Sequence, residues 1–164
     1  MAAKEYHQAL KYDPKDGSVN NNYGAFLCAE RKWEEAEPYF LRALDDPFYK
    51  TPALALSNAG LCALNAGVLD KAESYLRQSI EYDNNLPASL LGLGKLNYEQ
   101  GQYLRARAFL QRYEAAASHT EESLEQADLV EAGVLQAVGD HLTDRGDRPF
   151  PHRPGDHPGL AEAA

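Results

Sequence analysis

Three stretches of this 164-residue chain decide its fold when laid under one another: GAFLCAERKWEEAEPYFLRAL (24–44), GLCALNAGVLDKAESYLRQSI (60–80) and GKLNYEQGQYLRARAFLQRYE (94–114). Each opens on a glycine, carries an alanine twelve residues later (Ala36, Ala72, Ala106), then a large apolar residue at Phe40, Leu76 or Leu110. The glycines Gly24, Gly60 and Gly94 stand 36 and 34 residues apart. A partial copy precedes them, with Ala2, Tyr6 and Ala9 running into Asp13-Pro14. The longer first spacing has a visible cause in LDDPFYKTP (44–52), where Pro47 and Pro52 extend the connection.

A 34-residue period with this glycine–alanine register is the pattern of tetratricopeptide repeats, each a pair of antiparallel helices. The fold expected is all-α, a right-handed superhelix of stacked helix pairs. The register predicts helices over about 3–12, 18–30, 34–45, 53–66, 70–82, 87–100 and 104–117. Residues 1–16 then form the second helix of a partial repeat and 17–117 three complete repeats. Residues 118–141 add a further helix, best formed over 128–140, and 142–164, rich in Pro and Gly, read as an irregular, disordered tail.

The repeated positions are read as packing positions. A helix-interior glycine costs roughly 0.5–1 kcal/mol relative to alanine, so Gly24, Gly60 and Gly94 imply close approach of the partner helix, with Ala36, Ala72 and Ala106 expected to face them. Gly67 and Gly101 fall where a left-handed residue stops the first helix of a pair. Arg31 takes that place in the first complete repeat, so its turn is expected to close by another geometry. Trp33, Leu69 and Tyr103 follow each turn as an apolar plug. Pro38 is placed in about the first turn of its helix, where a missing N–H is tolerated.

Composition narrows the function classes. Sixteen basic against 25 acidic side chains give a net charge of −9, which repels a phosphate backbone and argues against nucleic acid as partner. No apolar run reaches the roughly 18 residues that span a bilayer. The start, MAAKEYHQALKYDP, carries no apolar signal-peptide core, so these residues taken literally indicate the cytoplasm. Cys28 and Cys62 form no C-x-x-C motif, and His7, His119, His141, His152 and His157 do not join them at metal-ligand spacing. No metal or other cofactor is expected. Catalytic signatures are absent, and the Glu34-Glu35 and Glu121-Glu122 pairs diverge around a helix as solvated faces, so the reading is a binding protein rather than an enzyme.

More specific strings lie within the repeats. NNYGAFLCAERKWEEAEPYFLRAL (21–44), DDPFYKTPALALSNAGLCALNAGVLDKAESYLRQSI (45–80) and LPASLLGLGKLNYEQGQYLRARAFLQRY (86–113) together resemble the type IV pilus biogenesis/stability family PilW, also called PilF. The resemblance covers about residues 2–124. It implies a non-catalytic pilotin: a lipoprotein on the periplasmic face of the outer membrane that helps the pilus secretin reach that membrane and multimerise. Family members carry a signal sequence, a lipidated cysteine and further repeats before the NNYG string, so any membrane attachment is expected through a lipid anchor outside these residues. After QRY the family continues with another helix pair. Here Asp144 and Arg148 stand where a small and an apolar residue are expected, leaving an apolar end face and an expectation of self-association.

In such a superhelix the first helix of each pair lines the concave face. The groove candidates are Asn21, Asn22 and Ala25, then Ser57, Asn58 and Leu61, then Leu91, Lys95 and Tyr98. Amides there can bond an extended peptide, or can tie neighbouring helices together. Lys95 alone does not make the basic cluster of a carboxylate clamp. Cys28 and Cys62 sit on equivalent helices of adjacent repeats, two register positions out of step. That offset is compatible with the Cα separation of roughly 4.4–6.8 Å a disulfide needs; in a reducing compartment both are small buried apolar residues. The family carries cysteines in both strings, which implies the bridge. The alternative to the pilotin reading is a cytoplasmic tetratricopeptide adaptor for a peptide or chaperone.

Overall fold

The computed structural model describes residues 2–117, and over them the chain is helical throughout. The helices are α1 (Ala2–Tyr12), α2 (Gly17–Ala29), α3 (Trp33–Asp45), α4 (Pro52–Asn65), α5 (Leu69–Tyr82), α6 (Pro87–Glu99) and α7 (Tyr103–Ala117). Every bound falls within a residue or so of its expectation. The segments expected at 118–141 and 142–164 lie outside the described residues.

Helices pair as α2 with α3, α4 with α5 and α6 with α7, and α1 packs on α2. Between pairs, α3 packs on α4 and α5 on α6, and α2 touches α4 and α4 touches α6, whereas α3, α5 and α7 make no direct backbone approach to one another. The stack is therefore tighter along α2, α4 and α6, and curves with those helices inside and α3, α5 and α7 outside. This is a tetratricopeptide superhelix.

The glycines do permit close approach, but the neighbour differs from the expected alanine. A Cβ built on Gly24 would lie 2.8 Å from the Phe40 ring, one on Gly60 2.6 Å from Leu76 Cγ, and one on Gly94 2.9 Å from Leu110. The large residue four positions beyond each alanine lies against the glycine backbone, and Phe40, Leu76 and Leu110 are wholly buried as a result. Ala36, Ala72 and Ala106 are buried beside them.

The turn at Arg31 also corrects its expectation. Arg31 adopts φ 61°, in the same left-handed region as Gly67 at 78° and Gly101 at 73°. All three turns close on the same bonds: Arg31 N–H to Cys28 O and Lys32 N–H to Leu27 O, Gly67 to Leu64 and Val68 to Ala63, Gly101 to Tyr98 and Gln102 to Asn97. Those paired bonds satisfy the last carbonyls of each helix. Arginine accepts a conformation that favours glycine because the two bonds outweigh the steric cost of its Cβ.

Helix starts use several devices. Asp16 caps α2 through the Val19 N–H at 3.0 Å, while α4 and α6 begin with Pro52 and Pro87, whose missing N–H would find no helical acceptor anyway. Asp13, Asp46 and Asp83 each follow a helix and accept the N–H two residues on, from Lys15, Phe48 and Asn85, turning the chain back. Asp46 does more: its second oxygen accepts the Gly17 N–H at 2.8 Å. Tyr49 from the same long connection lies on the Gly17 backbone, 2.7 Å from where a Cβ would be. Pro38 is the sixth residue of α3, not in its first turn. Its ring faces solvent, so water can reach the Glu34 carbonyl that loses its helical donor.

Candidate protein-binding groove

The inner helices α2 and α4 run side by side, and the sequence places small or polar residues along their seam. Ala25, Asn58 and Leu61 line one groove of about 280 Å³ with Cys28, Ala29, Cys62 and Asn65. Toward the turns it continues into a depression of about 430 Å³ bounded by Arg31, Trp33 and Ala66, sharing Cys28, Ala29, Cys62 and Asn65. The two form one channel across the first two repeats.

Its floor is covalent. Cys28 on α2 and Cys62 on α4 are joined as a disulfide, with Cα atoms 5.7 Å apart. The half-turn offset between the two register positions lets the side chains meet where α2 and α4 pack together.

The other expected groove residues divide. Asn21 and Ser57 are turned into the packing, 4 % and 0 % exposed, so neither offers an atom to a partner; this corrects their assignment. Asn21 Oδ1 instead accepts from Asn58 Nδ2 at 3.0 Å, tying α2 to α4. Leu61 has a double role, because its side chain also covers Gly92 of α6, 2.8 Å from where a Cβ would sit. Asn22 is exposed on α2 outside the channel lining. Leu91, Lys95 and Tyr98 are half-buried on α6 and do not line it either. Tyr98 stacks edge-on against Tyr103 with ring centres 5.6 Å apart, closing its own repeat.

Sequence reasoning missed Ala29, Asn65, Arg31 and Trp33. The first two were recoverable, since each lies one helical turn beyond a named residue, Ala25 or Leu61. Arg31 and Trp33 enter through the shape of the turn. Trp33 has a second contact: Lys71 Nζ lies 5.9 Å from its ring centre.

That lysine belongs to a polar cluster on the outside of the same joint. Glu37 of α3 accepts from Lys71 at 2.7 and 2.8 Å and from Tyr75 OH at 2.7 Å, both on α5. Burial pushes the Glu37 carboxyl upward, but the bonds from Lys71 and Tyr75 and the lysine charge outweigh it and hold the group below its usual range. Tyr75 moves well above the ordinary phenol range, first through burial and then through the Glu37 carboxylate it donates to. Near the N-terminus, Tyr23 OH and His7 Nε2 are 2.6 Å apart; burial, then Tyr39 and Glu35, raise the Tyr23 phenol.

Among the described residues no group of three or more His, Cys, Asp or Glu is placed to hold a metal, and no helix is long and apolar enough to cross a membrane. What the channel offers is shape, amides, an apolar wall and one guanidinium, the equipment for holding a segment of another protein.

Comparison with known proteins agrees with this architecture. The tetratricopeptide repeat family profile matches residues 2–52, 29–87 and 58–119. Type IV pilus assembly protein PilF of Pseudomonas aeruginosa is 30% identical over 124 residues, covering 76% of this chain and 49% of PilF. A Haemophilus influenzae protein of undescribed role is 37% identical over 82 residues, 50% of this chain and 46% of its own length. The chain thus spans about half the length of the curated relatives it matches. The crystal structure of PilW, described as a widely conserved type IV pilus biogenesis factor, superposes with a TM-score of 0.69 at 30% identity, covering 92% of this chain and 70% of PilW. With repeats, register and superhelix all shared, the chain belongs to the PilW/PilF family of tetratricopeptide-repeat type IV pilus biogenesis proteins.

Proposed function

We propose that this chain is the protein-binding scaffold of a pilotin, which takes a segment of the type IV pilus secretin along its inner helices and helps that secretin reach the outer membrane and multimerise. The channel over α2 and α4, floored by Cys28 and Cys62 and walled by Asn58, Leu61 and Asn65, is the observation that carries the reading. Its amides suit the backbone of an extended segment and Leu61 suits an apolar side chain. Kinship with pilus assembly proteins supports the choice of partner. Work in the periplasm accords with a disulfide, which persists in oxidising compartments. The same reading attaches the intact protein to the outer membrane through a lipid anchor.

The test is capture of secretin subunits from an envelope extract by the chain and by a variant with Ala25→Arg and Asn65→Arg, both exposed positions on the channel wall. The scaffold reading expects secretin on the wild type and a strong loss on the variant, with unchanged circular dichroism. Equal recovery with both proteins would remove the channel from the mechanism. Failure to recover any secretin, together with binding of a soluble cytoplasmic chaperone tail, would replace the pilotin by an adaptor.

A further inference from the structure

The outer side of the stack holds a second feature that the groove reading does not use. Between α5 and α7 lies a depression of about 380 Å³ lined by Arg77, Arg105, Ala108, Phe109 and Arg112. Three of these five residues are arginine and none is acidic, in a chain whose net charge is −9.

The repeat register explains why this place is unusual. One joint earlier, Glu37 of α3 receives Lys71 and Tyr75 of α5. Moving one repeat along, Glu37 becomes Glu73, Lys71 becomes Arg105 and Tyr75 becomes Phe109. The carboxylate and the cation are both retained, so the same bridge is expected between α5 and α7. It does not form, because Glu73 is taken by Arg77 of its own helix: Nε donates to Oε1 at 2.8 Å and the ion pair closes at 2.7 Å. In the previous repeat Leu41 stands where Arg77 stands, and leaves Glu37 free to cross.

Arg105 is thereby left with a local bond to Gln102 Oε1 at 2.7 Å, on an exposed side chain. Arg112 is steadied rather than neutralised: it donates to the Asn84 carbonyl at 2.7 Å and lies 5.9 Å from the Phe109 ring centre. The result, among the described residues, is two arginines without a carboxylate, flanking an aromatic ring, where the preceding joint holds a carboxylate from within the chain.

We propose that this outer depression binds an acidic peptide segment of a partner protein, one of whose carboxylates takes the place that Glu37 occupies at the preceding joint, bridging Arg105 and Arg112 while an adjoining apolar side chain lies on Phe109. Arginine meets carboxylate with paired N–H donors, which favours this geometry over a diffuse charge attraction. The site is on the opposite side of the helix stack from the channel and stands or falls independently of it.

The probe is the peptide acetyl-Glu-Phe-Glu-Glu-amide, titrated into the ¹⁵N-labelled full chain while the arginine Nε–H signals are followed; acetyl-Gln-Phe-Gln-Gln-amide is the control. The Arg105 and Arg112 signals are expected to shift saturably with the glutamate peptide alone. Arg105→Gln should weaken the interaction about fivefold or more, as loss of a charge-assisted pair does; Arg42→Gln, at the register position of Arg112 two repeats earlier, should leave it within about twofold. Arg77→Leu restores the earlier repeat's arrangement, so Glu73 should cross to Arg105, peptide binding should disappear and the melting temperature should not fall. Equal binding by Arg105→Gln, equal loss with Arg42→Gln, or equal shifts with the glutamine peptide would overturn the proposal. So would phosphatidylglycerol vesicles that engage the same arginines while the peptide does not.

Discussion

The carboxylate of Asp46, just beyond α3, lies 2.8 Å from the backbone nitrogen of Gly17 at the start of α2. The long connection is therefore a clasp on the first complete repeat, not slack between repeats. Asp46→Ala removes an acceptor from a helix N-terminus and should lower unfolding free energy by about 1 kcal/mol. Asp46→Asn, which keeps an oxygen but not the charge, should lose less. Urea unfolding followed at the helical signal measures both, and an unchanged Asp46→Ala midpoint would show that water replaces the cap.

Arg31 holds φ 61° where its equivalents are glycine. Arg31→Gly should stabilise the chain by about 0.5–1 kcal/mol by relieving the left-handed residue, partly offset by the freer unfolded glycine. Gly67→Ala and Gly101→Ala should each destabilise by about 1 kcal/mol, although nothing lies within 4 Å of a Cβ on Gly67. The contrast isolates backbone strain from packing, and unfolding midpoints of the three variants decide it.

Gly60 and Leu76 are a fitted pair, since an added Cβ would stand 2.6 Å from Leu76 Cγ. Gly60→Ala should cost about 1–3 kcal/mol by overpacking, and Leu76→Ala about 2–5 kcal/mol by leaving a cavity. Together they should cost clearly less than their sum, because the new methyl enters the vacated space. Additive losses in a double-mutant cycle would mean that the two sites relax separately.

The Cys28–Cys62 bridge closes a loop with a sequence separation of 34. The chain-entropy argument gives about 3–4 kcal/mol for such a closure. Protein exported to the periplasm should have an intact mass lower by two hydrogens than the reduced form, and reduction should lower the urea midpoint. A fully reduced pair after export would remove the covalent floor from the channel.

Acid and base should each weaken the α3–α5 cluster. The Glu37 carboxyl is held below its ordinary value when folded. Its contribution is present above the ordinary carboxylate range and is lost as pH falls through the depressed folded value. Tyr75 is raised, so its contribution is present below the ordinary phenol range and is lost as pH rises above it. The Lys71 side chain is half-exposed, so Lys71→Ala should cost only about 0.5–1 kcal/mol at neutral pH. Its clearest mark should be a smaller loss of stability on acidification than in the wild type.

The helices were legible because one spacing recurs: Gly24, Gly60 and Gly94 fix the register, and Ala36, Phe40 and their equivalents fix the second helix of each pair. Within the inner helices the pattern is less informative. In PALALSNAGLCALN small and apolar residues surround α4 on nearly every side, because it packs on α5, α3, α6 and α2 at once. Ser57 and Asn58 are adjacent there, yet one is buried and the other reaches the channel. The crossing bonds were illegible for another reason. Glu37 finds Lys71 and Tyr75 at separations of 34 and 38, and Asp46 finds Gly17 at 29, so no local pattern marks them apart from ordinary solvated charges. Arg31 misled because residue preference favoured glycine at its place, while the carbonyls waiting at the end of α2 decided its conformation.

The links that cross between the first complete repeats have a mechanical consequence. The sulfur bridge ties α2 to α4 on the inside, and the Glu37 cluster ties α3 to α5 on the outside, so this joint is braced across its full depth. At the next joint Leu64 and Leu96 stand at the cysteine positions, and Glu73 is folded back on its own helix. That joint is held by non-covalent links instead, the Ser79 and Ser89 hydroxyls 2.7 Å apart and the Arg112 bond to the Asn84 carbonyl, so reducing the sulfur bridge should loosen the first joint and leave the second as it was.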